Sequence, residues 1–174
     1  PQGSMSIGTT VKPISDEDDY DLDAVCQIDF SFETASGLKN IVGSVLKNSK
    51  RYSTMLDSEG KRCWTLIYKS NNFHLDVLPA SPFEENSTKI QITDKDLDSN
   101  TYEFKTSNPK GYIEWFLNRQ KNTYKEMLIE YKSQFQDSIE ELKEYKIRTP
   151  LKKTIQLLKR HRDIKYKDVS NDKK

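Results

Sequence analysis

The chain has 174 residues, about a third of them hydrophobic (34%) and a third charged (32%). That balance suits one soluble folded domain and the beginning of another, with no stretch of about 18 apolar residues that could form a membrane span. Net charge is only +1, yet Lys143 to Lys174 holds twelve Lys and Arg against four Asp and Glu, so an acidic front precedes a basic end. Such a split fits either a metal-and-polyphosphate site or a solvated helix face.

In chain order, Tyr20 to Ile28 reads as a strand, with Leu22, Ala24, Cys26 and Ile28 alternating with Asp21, Asp23, Val25 and Gln27. Ser36 to Lys50 reads as a helix on the spacing of Leu38, Ile41, Val42, Val45 and Leu46. Arg62 to Lys69 is a second predicted strand, with Trp64, Leu66 and Tyr68 on one face. After a turn at Asn71-Asn72, Phe73 to Leu78 is a third, stopped by Pro79. Lys89 to Thr93 makes a short fourth.

From Asn108 the pattern is helical. Asn108 is placed as N-cap and Pro109 as the first helical residue, with Tyr112, Ile113, Trp115 and Phe116 as the core side. Tyr124, Leu128, Tyr131, Phe135, Ile139 and Leu142 continue a stripe in a second helix. Thr149-Pro150 opens a third, with Leu151, Ile155 and Leu158 turned inward. The order predicts an α/β (α+β) core followed by a helical lobe. Cys26 and Cys63 lack metal-ligand spacing and read as reduced thiols of a cytoplasmic protein. No signal-peptide pattern is present. The start at Pro1 and the stop in a basic stretch suggest a piece of a longer protein.

Chemistry concentrates in three places. Asp21 and Asp23, two apart in a strand, point to one face and repel each other unless a cation lies between them. The pair fits either a metal site or an acidic surface strand, since Asp16 to Asp19 are also acidic. Asp76, in Phe73-His74-Leu75-Asp76-Val77-Leu78, is costly in an apolar strand unless paired or metal-bound. Three carboxylates on neighbouring strands can hold two Mg²⁺ ions roughly 3.5–4 Å apart. Gly3-Ser4 offers backbone N–H groups and a hydroxyl to phosphate, though Gly-Ser-Met is also what tag removal leaves behind.

Taken together, these blocks resemble the CD-NTase family, the bacterial cGAS/DncV-like relatives of oligoadenylate synthase. The resemblance rests on Gln2-Gly3-Ser4, Gly8-Thr9-Thr10-Val11-Lys12-Pro13, Tyr20-Asp21-Leu22-Asp23 and His74-Leu75-Asp76-Val77-Leu78-Pro79-Ala80. It extends through Ser107 to Phe116, Thr149-Pro150-Leu151 and Gln156 to Asp163, in the family's order. It implies a polymerase-β-like nucleotidyltransferase core over 1–145 and the start of a C-terminal helical lobe over 146–174. A helix before Gly3 and a larger lobe after Asp163 belong to the family pattern and are lacking.

The resemblance also implies residue roles. Asp21, Asp23 and Asp76 would be the catalytic metal-binding carboxylates for two Mg²⁺ (or Mn²⁺) ions. Gly3 and Ser4 would form the phosphate-binding turn, and Lys159 would touch the triphosphate. The implied activity is template-independent joining of nucleoside triphosphates, ATP or GTP among them, into a cyclic oligonucleotide messenger of antiphage signalling. Linear oligoadenylate synthesis, small-molecule adenylylation and a non-catalytic nucleotide- or RNA-binding module remain as alternatives. His74 is read as structural, Arg160, His161 and Arg162 as a solvated face that also suits nucleic acid, and Ser81 and Pro82 as a candidate wall of the acceptor pocket. Regulatory or effector proteins cannot be read from the residues.

Overall fold

The computed structural model of the chain describes residues 2–14, 19–84, 87–134 and 148–166. Its elements run α1 (Gly3–Ile7), β1 (Tyr20–Gln27), α2 (Ala35–Asn48), β2 (Trp64–Tyr68), β3 (Phe73–Pro82), β4 (Ile90–Lys95), β5 (Tyr102–Ser107), α3 (Pro109–Arg119), α4 (Lys121–Gln134) and α5 (Pro150–Lys165). A 3₁₀ turn over Lys69–Asn71 and Asn72 in the left-handed region join β2 to β3 at the predicted turn.

One five-stranded sheet carries the fold. Its order is β1-β3-β4-β5, with β2 also paired to β3. β1 and β3 run parallel, and the other pairings are antiparallel. The alternation along β1 and β3 sends Leu22, Cys26, Leu75 and Val77 to one side and the aspartates to the other. The apolar side is covered by α2. Val42 and Leu46 pack with Trp64 and Leu66, and Cys26, Ile28, Leu75 and Val77 close around them. A second cluster, Leu78, Ala80, Ile90 and Ile92 with Val25 and Cys63, continues the core on the opposite side.

Several expected details differ. β3 does not stop at Pro79 but continues to Pro82. Pro79 falls after β3's last pair with β2, at Val77, and before its first with β4, at Ala80, so its missing N–H breaks no ladder there. β5 was not expected, although Tyr102, Phe104 and Thr106 alternate with Glu103 and Lys105. In α2 the buried stripe is Ala35, Leu38, Lys39, Val42, Gly43 and Leu46, while Ile41 and Val45 face outward. In α3 only Phe116 is buried, and the supposed core residues Tyr112 and Trp115 are about half exposed (53% and 51%). In α5 Leu151 and Leu158 are exposed. Ser81, expected at an acceptor pocket, is fully buried and alternates onto the α2 side, away from Asp76. Phe135, Ile139, Leu142 and the 145/146 boundary lie outside the described residues.

Lys39 takes an inward position because its ammonium finds partners. Nζ donates to the Gly60 carbonyl at 2.9 Å and the Cys63 carbonyl at 3.1 Å, and Trp64 Nε1 donates to the Lys39 carbonyl at 3.0 Å. Gly43 faces the Trp64 ring, where a Cβ has no room. Burial pulls the Lys39 pKa down to about 8, against the opposing pull of Glu59. Above pH 8 the folded chain therefore holds fewer protons than the unfolded one, and Lys39 adds stability as pH rises from about 8 toward its ordinary 10.5. Lys39→Met is expected to remove that increment. Urea unfolding of both proteins between pH 7 and 10.5 would show parallel curves if Lys39 were not the source.

Candidate active site

The parallel register of β1 and β3 sets Asp21 opposite His74 and Asp23 opposite Asp76. On the other side of β3, antiparallel β2 sets Thr65 opposite Asp76. Directly opposed residues share a face, so Asp21, Asp23, Asp76, His74 and Thr65 all lie on the face away from α2. The adjacent strands β1 and β3 thus set Asp21, Asp23 and Asp76, predicted as a unit, on one face.

Their electrostatics show the cost of that arrangement. The Asp23 carboxyl is held above its ordinary range, first by burial and then by Asp76 and Asp21, while Lys159 and His74 pull it back. Two other groups hold the flanking carboxylates. His74 Nε2 pairs with Asp21, and its Nδ1 lies 4.0 Å from Asp19. Thr65 Oγ1 donates to Asp76 Oδ1 at 2.6 Å. Sequence reasoning set His74 aside as structural and passed over Thr65. The signal for Thr65 was its alternation with the buried Trp64 and Leu66, which puts it on the carboxylate face.

Among the described residues, no three His, Cys, Asp or Glu side chains close into a metal-holding group. The residues nevertheless fit a hard divalent cation in chemistry. All three donors are carboxylate oxygens, and the register sets Asp23 against the like-charged Asp76, a repulsion that a cation between them would relieve. The nearby Cys63 thiol is pushed up to about 11, by burial first and then by Asp76.

The predicted Gly3-Ser4 turn lies against these carboxylates. Gln2 N–H donates to the Asp23 carbonyl at 3.0 Å, and Gly3 opens α1 in the left-handed region, at φ 66°. A Cβ on Gly3 would collide with Asp23 Oδ2, so both the conformation and the approach require glycine. The Gly3 and Ser4 N–H groups stand in the first turn of α1, where no intrahelical partner exists.

α5 is fastened to the segment that follows this turn. Gln156 Nε2 donates to the Thr10 carbonyl at 2.8 Å, Arg160 donates to the Lys12 carbonyl, and the Lys152 amine lies over Gly8. At the start of α5, the buried N-cap Thr149 donates its hydroxyl to Gln120 at the end of α3. This face, not the leucines, is the inward face of α5. It leaves Lys159 within electrostatic reach of Asp23 and Asp21, its own pKa lowered by burial and then by Arg162. Of the residues expected on a solvated face, Arg160 is bonded as above, and the exposed Arg162 pairs with its neighbour Asp163 at 2.6 Å. No helix among the described residues is long and apolar enough to cross a membrane.

Comparison with known proteins gives the family and the fold. Residues 1–122 match the Second Messenger Oligonucleotide or Dinucleotide Synthetase (SMODS) domain. A Roseivirga ehrenbergii protein named c-di-GMP synthase is 35% identical over 172 residues, which is 95% of this chain and 42% of that protein. The Bradyrhizobium diazoefficiens cyclic dinucleotide synthase CdnG is 26% identical, again over 95% of this chain and 42% of its own length. A solved structure of the Bradyrhizobium diazoefficiens CD-NTase CdnG, in complex with GTP, superposes with a TM-score of 0.68 at 22% identity, covering 95% of this chain and 50% of that one, and shows the shared nucleotidyltransferase fold. The chain spans less than half the length of the curated relatives it matches. With the SMODS domain matched over most of its residues, the chain belongs to the CD-NTase family of nucleotidyltransferases.

Proposed function

We propose that the complete protein joins two nucleoside triphosphates, GTP among them, into a cyclic dinucleotide messenger of antiphage signalling. The observation that carries this reading is the β1–β3 register, which sets Asp23 against Asp76 beneath the Gly3-Ser4 turn and within reach of Lys159. The relatives named c-di-GMP synthase and cyclic dinucleotide synthase support the product class.

In each condensation a ribose hydroxyl oxygen attacks the α-phosphorus of a second nucleotide. One P–O ester bond forms, the P–O bond to pyrophosphate breaks, and the hydroxyl proton is released; two condensations close the ring. Gly3 and Ser4 would donate backbone N–H bonds to phosphate oxygens, and Lys159 would set a positive charge on the triphosphate. Asp21, Asp23 and Asp76 would hold divalent cations, Mg²⁺ or Mn²⁺, which when bound supply charge that stabilises the transferring phosphate. Residues 1–145 form the catalytic core in this scheme, and 146–174 open the helical lobe. The remaining chemistry is positioning, and the bonds from α5 to Thr10 and Lys12 keep Lys159 in register with the turn.

Incubating the complete protein with each labelled nucleoside triphosphate and Mg²⁺ or Mn²⁺ tests this reading. The expected product contains guanine, resists phosphatase and appears with pyrophosphate. Absence of metal-dependent pyrophosphate release from every nucleoside triphosphate would exclude it.

A further inference from the structure

We infer that Thr65 is a positioning residue for the reaction, its hydroxyl holding Asp76 in place beside Asp23; this rests on reading Asp21, Asp23 and Asp76 as the cation-holding carboxylates. Three observations point to it. Asp76 lies between two strand partners, a repelling carboxylate at Asp23 and a proton donor at Thr65. The Thr65 Oγ1 to Asp76 Oδ1 distance of 2.6 Å is in the short range of hydroxyl-to-carboxylate hydrogen bonds. The donor is also rigidly mounted. Its neighbours Trp64 and Leu66 are each 2% exposed, locked into the core on the other face, and a β-branched side chain has little rotamer freedom.

Strand formation alone gives no reason for a hydroxyl here, because valine has the same shape and suits a strand equally well. The hydroxyl matters through Asp76. The register sets Asp76 directly opposite the like-charged Asp23, so a freely turning Asp76 lowers its energy by moving away from Asp23. The Thr65 hydrogen bond opposes that movement. It keeps the two carboxylates together before any cation arrives, as outer partners of metal ligands do.

The test uses Thr65→Val, Thr65→Ser and Asp76→Asn in the complete protein, with circular dichroism as a check of folding. Mn²⁺ binding is measured without nucleotide, by the electron paramagnetic resonance signal of free Mn²⁺, and turnover of GTP is measured across a Mn²⁺ series. Thr65→Val is expected to weaken Mn²⁺ binding about 10-fold or more, with turnover partly restored at high Mn²⁺. Thr65→Ser, which keeps the hydroxyl, is expected to stay close to the wild type. If valine does not fold at this position, Thr65→Ala takes its place in the same comparison. Wild-type Mn²⁺ affinity in the hydroxyl-free variant, with affinity lost in Asp76→Asn, overturns the role of Thr65 and leaves the carboxylate site standing. Wild-type affinity in Asp76→Asn as well overturns both.

Discussion

Asp76→Asn in the complete protein should lower turnover by at least about 10²-fold while the fold stays intact. That factor corresponds to about 2.7 kcal/mol of transition-state stabilisation, which is modest beside the several kcal/mol that bound metal ions supply. The fold should survive because asparagine fits the same space and its side-chain carbonyl can still accept the Thr65 hydrogen bond. The apo protein should even gain a little stability. Asp76 is the largest charge-based cause of the raised Asp23 carboxyl, after burial.

The sign follows from proton binding. A carboxyl raised in the folded state takes up protons there that the unfolded chain does not, so stability falls as pH rises from its ordinary 3.8 through the raised value. Neutralising Asp76 should make that fall shallower. Pyrophosphate release with Mg²⁺ present, and thermal melting between pH 4 and 7.5 without metal, check the two halves. A near-wild-type rate in Asp76→Asn would mean that the three carboxylates are not the catalytic site. Activity lost together with a steep loss of melting temperature would mean that Asp76 serves the fold.

The sequence made the strands of this site legible because alternation is a local property. Asp21 and Asp23 beside Leu22 and Ala24, and Asp76 between Leu75 and Val77, announce their faces without reference to the rest of the chain. The helix starts were equally local. The Asn108 side chain accepts from Gly111 N–H and that of Thr149 from Lys152 N–H, as their N-cap positions predict.

What was not legible depends on pairings between distant segments. No local pattern shows that Pro79 falls between two neighbouring strands, so the proline looked like a stop. Nor does one show that Thr65 will stand opposite Asp76. The helices failed in a different way. Reading apolar residues as inward assumes that a helix is held by its leucines, whereas α5 is fastened by Gln156 and Arg160 to backbone carbonyls, leaving Leu151 and Leu158 outside. Lys39 is the same lesson in α2, since two carbonyls and an indole make a buried position tolerable for an ammonium.

Lys159→Ala should raise KM for the nucleoside triphosphate, with a smaller effect on kcat. The side chain projects from the face of α5 that is bonded to Thr10 and Lys12, so its position relative to the Gly3-Ser4 turn is fixed by the same contacts that seat the helix. A lysine there acts as a point charge on phosphate oxygens, and its partial burial strengthens that attraction relative to open water. Phosphate oxygens carry charge both in the bound nucleotide and during transfer, so a contact made in both states appears mainly in KM when lost. A charge-assisted hydrogen bond of about 1.5–3 kcal/mol puts the rise at roughly 10- to 150-fold. Lys159 also lowers the Asp23 carboxyl, and its removal should tighten the binding of divalent cations by the carboxylates, because a cation feels the same repulsion from the ammonium as a proton does. The two effects separate when KM is measured at saturating Mg²⁺. A rise that persists there belongs to the triphosphate, whereas tighter cation binding alone would lower KM at low Mg²⁺ and leave it unchanged at saturation. An unchanged KM at both low and saturating Mg²⁺ would make Lys159 a solvated lysine with no part in either.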